Sequence, residues 1–166
     1  MNNLVISVLG NRNAGKSSTW NHLFERTVKT GHNNRRLYLS PTEFVEVFLV
    51  SGSAEERDEY VGDIITTENP RIVLCSMQYH PNVQHTIRYF KDNSYMMYCQ
   101  WLNPGHHDTN YNMAYDSLGL MNVILSNGGI VSIRDAKIPL VSRCDELESF
   151  IYGWAHYRNL IQIDNG

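Results

Sequence analysis

The pattern of apolar and polar positions alternates between two periods along the whole chain. It opens on Leu4-Val5-Ile6-Ser7-Val8-Leu9, a short apolar run ending at Gly10, which predicts a strand buried on both faces. Residues 16–24 predict a helix, and the polar stretch 27–36 predicts a loop. Residues 36–40 and 44–51 predict two strands joined at Pro41, the second of them the most β-like segment of the chain. Gly52 closes it, and residues 53–65 predict a polar-faced helix with Ser53 as its N-cap.

The alternation then repeats. Residues 72–77 predict a strand, and the helix after Pro81 carries Val83, Ile87 and Phe90 on one face. Residues 95–102 predict a strand, followed by a helix bearing Leu118, Met121 and Leu125. A short strand at 130–133 precedes a last helix that aligns Leu147, Phe150, Ile151, Trp154 and Ile161. Strands alternating with helices predict a three-layer α/β domain with a mostly parallel sheet, and the pair near residues 36–51 supplies a candidate antiparallel edge. Ligands of such sheets bind at the carboxyl ends of the strands.

Composition narrows this picture only slightly. The chain of 166 residues fits one domain, 1–166, large enough to bury its own core. A net charge of -3 offers no polybasic footprint for nucleic acid or an anionic membrane. No apolar run approaches the length of a membrane helix, and the first residues lack the features of a signal peptide. Three cysteines, Cys75, Cys99 and Cys144, form no Cys-x-x-Cys pair, and the first two lie in apolar runs as expected of buried thiols. The expected setting is therefore reducing and cytoplasmic.

The chemistry is concentrated at the first strand–helix junction, Gly10-Asn11-Arg12-Asn13-Ala14-Gly15-Lys16-Ser17-Ser18. A phosphate-binding loop needs glycines where the backbone turns tightly and aims its N–H groups inward. It also needs a lysine for the β- and γ-phosphates and a hydroxyl for magnesium. Gly10, Gly15, Lys16 and Ser17 stand at that spacing, between a buried strand and a helix N-terminus. The expected ligand is a nucleoside triphosphate, GTP or ATP, with Mg2+ held by Ser17.

Gly10-x-x-Asn13-Ala14-Gly15-Lys16-Ser17-Ser18-x-x-Asn21-x-Leu23 resembles the phosphate loop of the Era/TrmE-like GTPases of the translation-factor-related class. The element order also resembles that of a small GTPase domain. The resemblance implies a nucleotide-dependent switch, and a K+ ion beside the phosphates coordinated through Asn13. Thr30 and Thr42 are the threonines that could present a switch hydroxyl to magnesium.

The later motifs depart from that family. Where it has Asp-x-x-Gly after the third strand, this chain has Leu49-Val50-Ser51-Gly52, with Leu49 at the aspartate position. Glu55 and Glu56 follow; either could approach the metal, but a solvated helix face is the more expected environment of both. Asp116 to Gly119 matches Asp-x-x-Gly but falls in a later predicted helix, where the match has no functional reading. Where the family reads guanine through Asn-Lys-x-Asp, this chain has Asn103-Pro104-Gly105-His106. The base-contact candidates are then Asn103, Asp108 and Lys137, the last in an Ala-Lys pair after the sixth strand.

The remaining constellations carry less. His106-His107-Asp108, His80 and His85 lack zinc-ligand spacing. Tyr95, Tyr98, Trp101, Tyr111 and Tyr115 read mainly as core aromatics. The sequence thus supports an NTP-binding, GTPase-like switch with weak or partner-dependent hydrolysis, a protein partner completing or reading it. The alternatives are a nucleotide-kinase-like phosphotransferase, motivated by the strand at 44–49 followed by Glu55-Glu56-Arg57-Asp58, and a non-catalytic nucleotide-binding interaction module.

Overall fold

The computed structural model of the protein describes residues 2–103, 116–136 and 140–166. The predicted alternation is realised. β1 (Asn3–Gly10) is buried along its whole length and leads through the loop into α1 (Lys16–Leu23). β2 (Arg35–Tyr38) and β3 (Glu43–Val50) form the antiparallel pair, Leu37 facing Val45. Then come α2 (Val61–Ile64), β4 (Ile72–Gln78), α3 (Val83–Asp92), β5 (Tyr95–Leu102), α4 (Leu120–Ser126), β6 (Ile130–Arg134), α5 (Leu140–Tyr157) and β7 (Gln162–Ile163).

The sheet runs β2-β3-β4-β1-β5-β6, with β7 added antiparallel to the start of β3. β1, β4, β5, β6 and the end of β3 are parallel. β1 sits at the centre because its side chains serve two cores. Leu4, Ile6 and Val8 pack with Trp20 of α1 and with Cys144, Leu147 and Ile151 of α5. Val5 and Leu9 pack on the other face with Val61, Ile87, Phe90 and Ile124 from α2, α3 and α4. Helices on both faces of a mostly parallel sheet give the three expected layers.

Three local expectations are corrected. The helix expected over 53–65 shrinks to the four residues of α2, because Asp58 takes a left-handed φ of 52° that interrupts helical winding. The last helix ends at Tyr157, before Ile161, because Asn159 turns left-handed at φ 55° and sends the chain into β7. Asp116 lies outside a helix and caps one, its carboxylate accepting the N–H groups of Leu120 and Met121 at 3.0 and 2.7 Å.

One buried polar contact fixes α1, and with it the loop, onto the sheet. Trp20 Nε1 donates to Ser76 Oγ of β4 at 2.8 Å, and both residues are inaccessible to solvent. Ser76→Ala leaves a buried indole N–H unpaired, with an expected loss of about 1–3 kcal/mol in chemical denaturation. An unchanged denaturation midpoint would contradict this anchoring.

Candidate functional site

The loop that joins β1 to α1 is shaped by two glycines. Gly10 ends β1 under the loop, where an added Cβ would lie 2.8 Å from the Ala14 Cβ and 3.4 Å from the Leu102 carbonyl oxygen. Gly15 precedes the first helical residue at φ 97°, a conformation that side chains resist. Asn13 is left-handed as well, at φ 64°, which asparagine tolerates better than most residues. A turn from Asn11 O to Ala14 N, 3.1 Å, closes the loop. Arg12, Asn13, Ser17 and Ser18 are exposed on this rim, so the hydroxyls of the first turn of α1 face outward.

Lys16 is folded back into the loop and is 5% exposed. Its Nζ donates to Gly10 O at 3.2 Å and Asn11 O at 2.7 Å, and pairs with Glu56 Oε1 at 3.3 Å. Burial pulls its pKa below the usual lysine value, and the Glu56 charge opposes that pull. The expectation of a solvated face is therefore corrected for Glu55, while Glu56 stays exposed as it pairs with Lys16. Because residues 53–57 coil as a turn held by Ser53 Oγ on Glu56 N, 3.2 Å, Glu56 reaches the loop and Glu55 reaches the end of β4.

Glu55 is the more enclosed of the two. It accepts Gln78 N at 2.9 Å and Thr86 Oγ1 at 3.0 Å, tying the turn to the end of β4 and to α3. Burial raises its pKa, while these hydrogen bonds and the Lys16 charge act in the opposite sense. The side chain at the family's aspartate position, Leu49, is fully buried in the core. Since β4 lies between β3 and β1, the end of β3 stands two strand spacings, about 10 Å, from the strand that carries the loop.

The threonine candidates separate. Thr30 Oγ1 accepts Ser51 N at 3.0 Å and Gly52 N at 3.4 Å, and Gly31 N donates to Leu49 O at 3.1 Å. The 27–34 loop is thereby strapped across the carboxyl end of β3. Thr42 is not brought to the site. It precedes Glu43 at the opposite end of β3, some eight extended residues or about 26 Å from the site end.

Asn103 lies at the site end of β5, buried, with Oδ1 accepting Ala136 N at 2.7 Å. Ala136 in turn borders Gly15, where an added Cβ would sit 3.6 Å from its own. Asn103 thus ties the loop after β6 to the rim of the loop between β1 and α1. Asp108 and Lys137 lie outside the described residues, as do His106, His107, Tyr111 and Tyr115. Tyr95, Tyr98 and Trp101 are core residues, as expected. Among the described residues no group of three or more His, Cys, Asp or Glu side chains could hold a metal. No described helix is long and apolar enough to cross a membrane. A cleft of about 700 Å3 lined by Leu23, Arg26, Arg36, Tyr38 and Glu148 lies at the far end of the sheet, away from this chemistry.

No protein-family profile matches the chain, and no curated protein matches it in sequence. Among solved structures it is similar to translation elongation factor SelB from Methanococcus maripaludis, in complex with the GTP analogue GppNHp. The TM-score is 0.52 at 16% identity, over 94% of this chain and 34% of that one. The chain spans about a third of the length of that structure, and the likeness establishes a P-loop GTPase-like fold.

The raised pKa of Glu55 sets a pH dependence. A carboxyl that binds its proton more tightly when folded contributes stability in acid, and this is lost as pH rises through the native pKa. Glu55→Gln keeps an acceptor for Gln78 N without the buried charge. Its stability relative to wild type should rise between the ordinary glutamate pKa of 4.5 and neutral pH, measured by denaturant titration. The opposite trend would show that Lys16 holds the ion at a net gain.

Proposed function

We propose that the protein binds a nucleoside triphosphate with magnesium and acts as a GTPase-like switch with weak or partner-dependent hydrolysis. The observation that carries this is the loop itself: Gly15 left-handed at the mouth of α1, and Lys16 turned into a ring of loop carbonyls. Backbone N–H groups at the start of α1 and the Lys16 ammonium are the donors that a polyphosphate requires. The likeness to a GTP-analogue-bound translation factor supports the same reading at the level of fold.

The donor set also fits magnesium in part. Ser17 presents its hydroxyl on the first turn of α1 and is the residue that would hold the ion. Glu56 is the carboxylate in contact with the loop lysine, and it is the side chain able to turn from Lys16 toward a metal once phosphate takes its place. When bound, the ion supplies charge neutralisation for the phosphates. The buried Leu49 offers nothing to it, which supports slow turnover. Asn103 Oδ1 already accepts the Ala136 N–H, and a single amide cannot supply the paired contact to guanine that a carboxylate can, so discrimination between GTP and ATP is expected to be weak. The role of Asn13 toward K+, the base contacts of Asp108 and Lys137, and a cytoplasmic protein partner belong to the same proposal.

Lys16→Ala should weaken triphosphate binding by roughly tenfold or more for each charge-assisted hydrogen bond that the ammonium would make, read by calorimetry. Equal affinity in mutant and wild type would overturn the proposal. In magnesium-free titrations Glu56→Gln should act in the other direction, because the carboxylate competes with phosphate for the same ammonium. A gain of roughly two- to fivefold is expected for a partly exposed ion pair.

Ser17→Ala should reduce the magnesium dependence of triphosphate binding more than the metal-free affinity. Titrations with and without magnesium separate the two. An undiminished metal effect would place the ion on another ligand.

A further inference from the structure

Arg143 stands in the first turn of α5 and is 4% exposed, yet it has no carboxylate partner among the described residues. One guanidinium nitrogen donates to Thr19 Oγ1 at 2.7 Å and to Gln100 Oε1 at 3.0 Å. Gln100 returns a hydrogen bond to the Arg143 carbonyl at 3.2 Å, and Arg143 Nε has no partner among the described residues. Burial lowers the pKa of the group, but a guanidinium stays charged in any folded protein. A cation at such depth, with only neutral acceptors among the described residues, weakens the fold unless it serves something else.

What it faces gives the direction. Arginine can only donate, so the Thr19 hydroxyl must accept from it, and its own proton is then free for Gly15 O, 3.1 Å away. The Gly15 carbonyl belongs to the same peptide group as the Lys16 N–H, the first N–H of α1, which has no partner within the helix. A hydrogen bond that draws electrons toward this carbonyl makes that N–H a stronger donor, since bonded chains polarise one another. The relay Arg143–Thr19–Gly15 thus ends on a phosphate-facing N–H, and its source is a full positive charge that no acid among the described residues offsets.

We infer that Arg143 is a positioning residue of the phosphate site: a buried cation, without a carboxylate partner among the described residues, that strengthens polyphosphate binding through Thr19 and the Gly15–Lys16 peptide. This rests on the proposal that the loop binds a triphosphate. It goes beyond it in assigning part of the affinity to a residue that no ligand touches, on a different helix, behind the loop. Because the effect is electrostatic, it grows with the charge of the ligand.

The full-length protein tests this by calorimetry with inorganic tripolyphosphate, a nucleoside triphosphate and the matching monophosphate, alongside thermal melting. Arg143→Met should lower the affinity for tripolyphosphate and triphosphate by roughly tenfold, on the scale of a charge interaction at an effective dielectric of about 20. The monophosphate should lose far less, and Arg143→Lys should recover most of the loss. Thr19→Val keeps the charge and cuts the relay, with a smaller loss of a few-fold and near-native melting. An equal loss for all three ligands, or no rescue by lysine in a folded variant, would overturn the inference in favour of packing. Should Arg143→Met not fold, Thr19→Val decides: native melting with unchanged tripolyphosphate affinity also overturns it. Weaker binding in Lys16→Ala with none in the Arg143 and Thr19 variants defeats this inference alone, whereas undiminished binding in Lys16→Ala defeats the triphosphate proposal beneath it.

Discussion

The Lys16 ammonium is a charge buried at a strand–helix junction, and the surrounding chain is arranged to satisfy it. Two of its acceptors, Gly10 O and Asn11 O, are backbone atoms of the loop, so the loop can close only where its carbonyls turn inward. That turn requires the left-handed Gly15 and sets the direction in which α1 leaves the sheet. The third acceptor, Glu56, comes from forty residues further on and pins the turn after β3 against the same point. Trp20 then locks the helix to β4 through Ser76, so strand, loop, helix and turn form one unit around a single ammonium.

The site is balanced by its own side chains. Its lysine is neutralised by Glu56, and the Gly52 N–H is taken by Thr30. A polyphosphate would enter by exchanging one set of anionic or oxygen contacts for another.

The features that depend on neighbours along the chain are legible in the sequence itself. Gly10, Gly15, Lys16 and Ser17 lie within eight residues, and their spacing alone predicts a tight turn between strand and helix. β1 is legible because a strand buried on both faces has no polar alternation to confuse it. Residues 53–65 mislead because the helical pattern is real but short. No rule of composition announces that Asp58 will go left-handed or that Glu55 will be drawn in to Gln78 N and Thr86. Arg143 is illegible for a different reason: on a helix face an arginine reads as solvated, and only the folded contact with Thr19, 124 positions away, reveals it as buried. Thr42 and Thr30 are equally plausible as loop hydroxyls, and it is the antiparallel run of β2 into β3 that sends one to each end of the sheet.

The placement of β1 between β4 and β5 has a consequence for how the molecule is made. Both partners of the first strand are synthesised long after it, β4 from residue 72 and β5 from residue 95. Until then the apolar segment Leu4–Leu9 has no edge to join, and the loop it carries has no rigid base. Loop-closure entropy must be overcome across the first half of the chain before any contact of β1 repays it. The loop between β1 and α1 is therefore made before both strands that support it and acquires its shape only after them. A triphosphate bound there would report that the central sheet is complete, and by mass action would hold it so.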